Sequence, residues 1–313
     1  MAWWTSALAF SLALAVLIGC DRPALLAGDD VATPQRADTP RLRRASIWIR
    51  FDNGRLDTGT GPPNEDRLTV SAVFGDADPH DAQVIDALAG QATVGNAGLP
   101  ADSCEHLISA GQGLNPAGVA RPRSWVQLLD IGNLKLSAGS LQLPLRVQLV
   151  PAVIDATRGV RYDAAVDHGR NFLAAGTLTV AATGGDGVAA FAAAIGVPRP
   201  VRISYIGDAA VRGGTVQGPV AEEALRLRWG SVDGSADLEL RIGSEAPGQL
   251  GWLRCRLHDD GEFIVPKALS DSLPKRQAHR PWSMVLVRRT TAAVAGFAGQ
   301  PLVLELADGV HVD

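Results

Sequence analysis

Three carboxylates and an imidazole fall close together at Asp76, Asp78, His80 and Asp81, a donor set that could hold a divalent cation. Asp78-Pro79 also reads as helix punctuation, an N-cap followed by proline at the first helical position. Val84, Ile85 and Leu88 then supply one apolar face. The helix reading accounts for the segment without a metal. His258-Asp259-Asp260-Gly261-Glu262 is a second acidic cluster, and its simpler account is a hairpin turn with solvated acids. Ser272 and Lys275 have Ser-x-x-Lys spacing, but Pro274 interrupts the helix that such a pair needs. Cys104, Glu105 and His106 are adjacent, and adjacent residues on a helix do not face one another, so they make no thiol–imidazole dyad there. No Gly-x-Ser-x-Gly elbow and no phosphate-binding loop is present. The chain is therefore expected to carry no catalytic group, no metal and no cofactor.

The chemistry that the sequence does specify is at Cys20. Trp3 to Gly19 is apolar apart from Thr5, Ser6 and Ser11, and Leu17-Ile18-Gly19-Cys20 ends the run. The apolar core is shorter than the roughly 20 residues of a bilayer-spanning helix, and the pattern is that of a signal peptide cut before a lipidated cysteine. Acyl chains on Cys20 plus an acylated terminus, palmitate being a typical chain, give enough anchoring for stable membrane attachment. No Lys or Arg precedes Cys20, a departure from the usual signal. With Cys20 committed to lipid, Cys104 and Cys255 remain in an oxidising compartment, where one disulfide is available to them.

Other classes are disfavoured by composition. The net charge of −4 offers no global field for nucleic acid. Aromatic residues make up 5%, which limits sugar platforms to a few tryptophans: Trp48, Trp125, Trp229, Trp252 and Trp282. Trp229 and Trp252 lie in alternating strands and read as core. Trp282 follows His279-Arg280-Pro281 and is the candidate for ligand contact.

These groups sit on a β-rich background. Residues 1–19 are the signal and 20–44 a polar, proline-containing tether that ends in Arg41, Arg43 and Arg44. Strand-like runs begin at Ile47-Trp48-Ile49-Arg50-Phe51, before an Asn53-Gly54 turn, and recur to about residue 210, defining an N-terminal β-rich domain over 45–210. Short helices interrupt it: one after Asp78, and one after Asp102, whose spacing to Glu105 is that of a capping box. Val188 to Ile195 fits helix or buried strand equally. Over 211–313, Leu225 to Trp229, Asp237 to Ile242 and Gly251 to Leu257 alternate cleanly, and Pro266 to Leu273 has room for one helical turn. About seven strands in this span is the size of an immunoglobulin-like sandwich.

The segments VQLLDIGNLKLSAG, GVRYD, GGDGVAAF, LRLRW and LRCRLHDDGEFIVPKALSDSLP resemble parts of uncharacterised lipoproteins and secreted proteins of myxobacteria-like bacteria. Those proteins pair an N-terminal β region with a C-terminal β-sandwich. Cys255, Asp260, Gly261, Phe263 and Pro266 approximate their strand–turn–strand–proline pattern, with Val265 as an extra residue and fewer cysteines in the first half. The resemblance implies a fold and no activity.

The expectation is thus a mainly β protein of the bacterial cell envelope, lipid-anchored through Cys20, serving as a non-catalytic binding module for a protein or glycan partner. An assembly role without a specific ligand, and a metal-dependent hydrolase, are the rival readings.

Overall fold

The structure is a computed structural model that describes residues 41–53, 66–79, 82–90, 99–109, 126–150, 157–217, 225–230, 233–234, 237–246, 249–271, 273, 282–297 and 302–312. Cys20, His80, Asp81, Trp125, Ser272 and Lys275 lie outside the described residues.

The protein is mainly β, as its alternating sequence predicts. In chain order the elements are β1 (Leu42–Asp52), β2 (Arg67–Ala77), α1 (Ala82–Leu88), β3 (Ser103–Ser109), β4 (Val126–Leu128), β5 (Leu134–Ala138), β6 (Leu141–Pro144), β7 (Arg146–Val150) and β8 (Thr157–Asp167). They continue as α2 (Arg170–Leu173), β9 (Thr177–Ala182), β10 (Phe191–Gly196), β11 (Arg202–Ile206), β12 (Ala209–Arg212), β13 (Thr215–Gln217), β14 (Leu225–Gly230), β15 (Asp237–Ala246) and β16 (Gln249–Leu257). The last are β17 (Glu262–Val265), α3 (Lys267–Ser270), β18 (Trp282–Ala292) and β19 (Leu302–Val312). Strand β1 starts three residues inside the stretch read as tether, with Arg43 paired to Asp76 at 3.1 Å and Arg44 paired to Asp86.

Residues Pro40–Asp313 form one compact unit. Its large sheet forks at β19. One edge of β19 pairs antiparallel with β18 along its whole length. The other edge is shared: β1 runs parallel to Leu302–Ala307, and β13 meets His311. One arm continues β13-β12-β11-β14-β17, another β18-β15-β16-β3, and a third β1-β2-β8-β7, with β4 bridging β2 and β8. A separate four-stranded sheet has the order β10-β9-β5-β6.

Two cores follow from this fork. The first lies between β1, β2, β8 and the four-stranded sheet, where Ile47, Ile49, Leu68, Val70, Leu136 and Val180 are buried, with Phe74 at the centre of an aromatic cluster formed with Tyr162, Phe191 and Phe297. The second fills the space between the two C-terminal arms, with Leu227, Trp229, Leu240, Leu253, Val265 and Leu286 inside. Its walls draw on both sides of residue 210: β11 and Cys104 precede it, and the boundary itself falls within β12.

Strand β19 lines both cores on one face. Leu302, Leu304 and Leu306 enter the first core, Val310 and Val312 the second, and Asp308 lies between. Strand β18 repeats the arrangement, with Met284 and Leu286 in the second core, Ala292 against the first and Arg288 between. Both junction residues are fully buried at 0% exposure, and both meet backbone and side-chain partners. Asp308 Oδ2 accepts from Ile203 N at 2.6 Å and Oδ1 accepts from the Asn53 amide. The Arg288 guanidinium donates to Asp259 at 2.5 Å and to the Arg199 carbonyl.

Two sequence expectations change here. The segment after Asp102 is strand β3, not a helix, because Ser103 to Ser109 pair residue by residue with β16. Asp102 adopts φ +57° and its carboxylate accepts from His258 N and contacts His258 Nδ1 at 2.6 Å, so it ties β3 to β16 and caps nothing. In the 258–262 turn, Asp259 is not solvated: its side chain is 1% exposed and also accepts from Trp229 Nε1 at 2.8 Å and Asp233 N at 2.9 Å.

Breaking one side of a buried charge pair leaves the other charge uncompensated, at a cost of about 3–5 kcal/mol. Arg288→Leu is therefore expected to lower unfolding stability by about that amount in urea titration. Adding Asp259→Asn should recover part of the loss. An unchanged urea midpoint in the single variant would show that the pair does not hold the junction.

Candidate functional site

Alternation along β1 sends Ala45, Ile47, Ile49 and Phe51 into the first core, which leaves Ser46, Trp48, Arg50 and Asp52 on the opposite face. The same alternation on β2 and β8 places Thr69, Ser71, Arg161 and Asp163 beside them. Helix α1 covers part of this face. Val84, Ile85 and Ala89 pack with Val73, Ala77, Val126 and Leu128 in a small third cluster. Gly75 allows the helix this close, since a Cβ there would stand 2.9 Å from the Gln127 carbonyl and 3.0 Å from Ile85 Cδ1. The helix ends at Gly90, whose φ of +83° suits a glycine turn and whose backbone lies against the indole of Trp48.

Among the described residues, nothing covers the face beyond that helix end. A groove of about 930 Å³ is floored by Trp48, Thr69 and Ser71 and walled by Leu88–Gly90 on one side. Leu143–Arg146, Gln148, Arg161 and Asp163 form the other side. Arg161 Nε donates to Gln148 Oε1 at 3.1 Å and lies 2.9 Å from Asp163 Oδ2. The Arg50 guanidinium stands 5.7 Å from the Trp48 ring centroid, a cation–π distance. Burial alone would lower the Arg50 pKa, but Asp52 and Glu305 hold it above the ordinary range, so the charge is fixed. The indole Nε1 of Trp48 is buried and has no hydrogen-bond partner. An unpaired buried donor costs about 1–3 kcal/mol.

This site is the usual composition of a small-ligand cleft: apolar and aromatic surface with a few converging polar groups. Its residues offer hydroxyls, a carboxamide, a carboxylate and guanidiniums around an indole. They can orient a polyhydroxylated ligand. The sequence reading named Trp48 without assigning it a role. The available signal was its phase, since an indole on the polar side of the strand Ile47-Trp48-Ile49-Arg50-Phe51 is out of place for core packing.

The other sequence candidates fall elsewhere. Cys104 and Cys255 face each other across β3 and β16 and form a disulfide, S–S 2.04 Å, that joins residues 151 apart. Trp282 opens β18, pairs with Val312 and packs half-buried against the second core. Asp76 is engaged by Arg43, and no group of metal-ligating side chains is found among the described residues. Asp130, in the DIGN segment, accepts from the buried Tyr162 hydroxyl at 2.7 Å, while its backbone N donates to Asp186 of the GGDG segment at 2.8 Å. Burial and Asp130 push the Tyr162 phenol far above its ordinary pKa, so this is a structural lock. No described helix is long and apolar enough to cross a membrane.

A row of charge crosses the same side of the sheet. Glu239 on β15 meets Arg254 at 3.1 Å and Arg241 at 2.5 Å, Arg254 meets Glu105 at 3.2 Å, and Arg289 meets Glu305 at 2.5 Å. Burial alone would raise the Glu239 carboxyl, but Arg241, Arg289 and Arg254 outweigh it and hold the group below the ordinary glutamate range. Each buried carboxylate faces more than one guanidinium, so the row is a set of cross-strand ties with no poised acid or base.

No protein-family profile matches the chain, and no curated protein matches it.

The Glu239 ties carry a pH signature. The folded-state value lies below the unfolded one, so the unfolded chain takes up the proton first as pH falls. The stabilisation is complete above about pH 4.3, the ordinary glutamate value, and is lost as pH drops through the folded-state value. Urea midpoints followed through this acid range should fall less steeply in Glu239→Gln than in the parent. Equal slopes would remove Glu239 from the acid-sensitive set.

Proposed function

We propose that the protein is a lipid-anchored component of the bacterial cell envelope whose folded part is a non-catalytic binding module, and that the Trp48 groove holds a saccharide. The anchoring half rests on the apolar run ending Leu17-Ile18-Gly19-Cys20. The binding half rests on one observation: an indole on a sheet face, with an unpartnered buried N–H, in a groove lined by side chains that donate and accept hydrogen bonds. Sugars present apolar C–H faces and hydroxyls together, the two features that such a groove satisfies. Sequence motifs of nucleophilic or phosphoryl chemistry are absent, which favours binding over turnover.

The anchor is tested by labelled palmitate. The parent expressed in a bacterial host should incorporate label and sediment with membranes, and Cys20→Ser should do neither. Equal labelling of the variant would refute lipidation at Cys20.

The groove is tested by glycan-array screening of the full chain in detergent, followed by titration of the best saccharide. Trp48→Ala should weaken binding about thirtyfold, as expected for an aromatic anchor worth about 2 kcal/mol. Gln148→Ala should weaken it less while leaving the thermal midpoint unchanged. A folded parent that binds no saccharide saturably would overturn this reading and favour an assembly role.

A further inference from the structure

We infer that the outward face of β17-β14-β11-β12 is a second docking surface, and that its occupant is an acidic polysaccharide carrying a carboxylate on its sugar rings. The strands bury Leu225, Leu227, Trp229, Phe263 and Val265 in the second core, so the intervening residues point away from it. The protein has a net charge of −4, yet Arg202, Arg212, Arg226 and Arg228 all project from this face. Glu262 among them is held by Arg226 through two contacts of 2.7 Å, and Asp208 in the β11–β12 turn also acts on Arg226. Arg202 and Arg212 are exposed and pair with no carboxylate among the described residues.

A second feature is independent of charge. The register between β11 and β14 shifts between Ile203 and Tyr205. Unbroken alternation would send Tyr205 inward with Ile203. The bulge instead returns Ile206 to the core and turns Tyr205 outward, 40% exposed. The Arg228 guanidinium lies 4.4 Å from the Tyr205 ring centroid and donates to the Gly207 carbonyl at 3.3 Å, so its plane is fixed before any ligand arrives. Ile264, on the strand beyond Arg226, is 51% exposed.

Arginine forks match carboxylates, and exposed Tyr and Ile side chains offer packing surface for the C–H faces of sugar rings. Adjacent strands stand about 4.8 Å apart, so cations on three of them form an extended array across an open sheet face. A single small anion would satisfy one position of that array. A linear polymer with repeated carboxylates satisfies several at once and meets the apolar side chains between them. Charge complementarity thus selects the acid, and the exposed ring selects the sugar.

The experiment uses the full chain in neutral detergent and fluorescently labelled polygalacturonate, with the same polymer after methyl-esterification, neutral dextran, and phosphatidylglycerol vesicles as comparators. Polygalacturonate should bind, and binding should weaken as salt rises. The double variant Arg202→Gln/Arg212→Gln should weaken it about tenfold with an unchanged thermal midpoint, since neither side chain holds the fold. Arg202→Lys/Arg212→Lys should fall between, keeping the charge but not the fork. Trp48→Ala should leave this binding intact, which separates the surface from the groove. Equal binding of the double glutamine variant, equal binding of the esterified polymer, binding to vesicles alone, or no binding to polygalacturonate would each overturn the proposal.

Discussion

The constraint on which the rest of the structure depends is the double duty of β19. One strand supplies leucines to the first core and valines to the second, and it cannot do both without a transition between them. Asp308 and the neighbouring Arg288 of β18 occupy that transition. Burying a charge is costly unless it is paired and hydrogen-bonded. Here the partners are themselves the connectors: Asp308 captures the Ile203 backbone N–H as β11 begins, and Arg288 captures Asp259 and the Arg199 carbonyl. A polar seam thereby fixes where one core ends and the other begins, a task that further leucines would leave unspecified.

The seam also explains the reach of the contacts. Strand β1 pairs parallel with β19, close to the C-terminal end of the described chain, and β3 pairs with β16 across the disulfide at a separation of 151 residues. Pairings this distant in sequence carry a large loop-closure cost and slow folding. A cross-link at Cys104–Cys255 reduces that cost by restricting the unfolded chain, with typical effects of about 2–5 kcal/mol. The long-range pairings and the covalent tie address the same problem from opposite sides, one in the native state and one in the unfolded state.

What was legible in the sequence was local. The alternation of Leu225 to Trp229 and of Asp237 to Ile242 gave strands with the correct inward phase, and Asp78-Pro79 with Val84, Ile85 and Leu88 gave α1. Cys104 and Cys255 were the only pair left once Cys20 was assigned. The failures came where a partner strand overrode a local cue. Asp102 and Glu105 have capping-box spacing, yet Glu105 faces Arg254 and Cys104 faces Cys255, so the segment is drawn into a sheet. The acids of the 258–262 turn read as solvated because nothing local announces that Arg288, 29 residues beyond Asp259, will bury one of them. The fork at β19 was hidden for the same reason: periodicity tells which face of a strand is apolar, not which strand lies beside it. Trp48 was visible but unweighted, although an indole in the polar phase of a strand is the kind of residue that packing does not explain.

The faces to which we assign binding are what the two cores leave over. Each core uses one face of its strands, and the opposite faces are covered unevenly. Helix α1 shields β2 and then stops at Gly90, because the turn there lies against the Trp48 ring and leaves no room for a side chain. Among the described residues, that cover is a single short helix. On the far arm, the bulge between Ile203 and Tyr205 has the converse effect: it takes an aromatic that simple alternation would bury and presents it among arginines. In both places a break in a regular pattern, a helix end or a register shift, sets an aromatic ring beside fixed guanidinium groups. Their common outcome is a ring and cations on an otherwise polar face, which supports the binding role we propose.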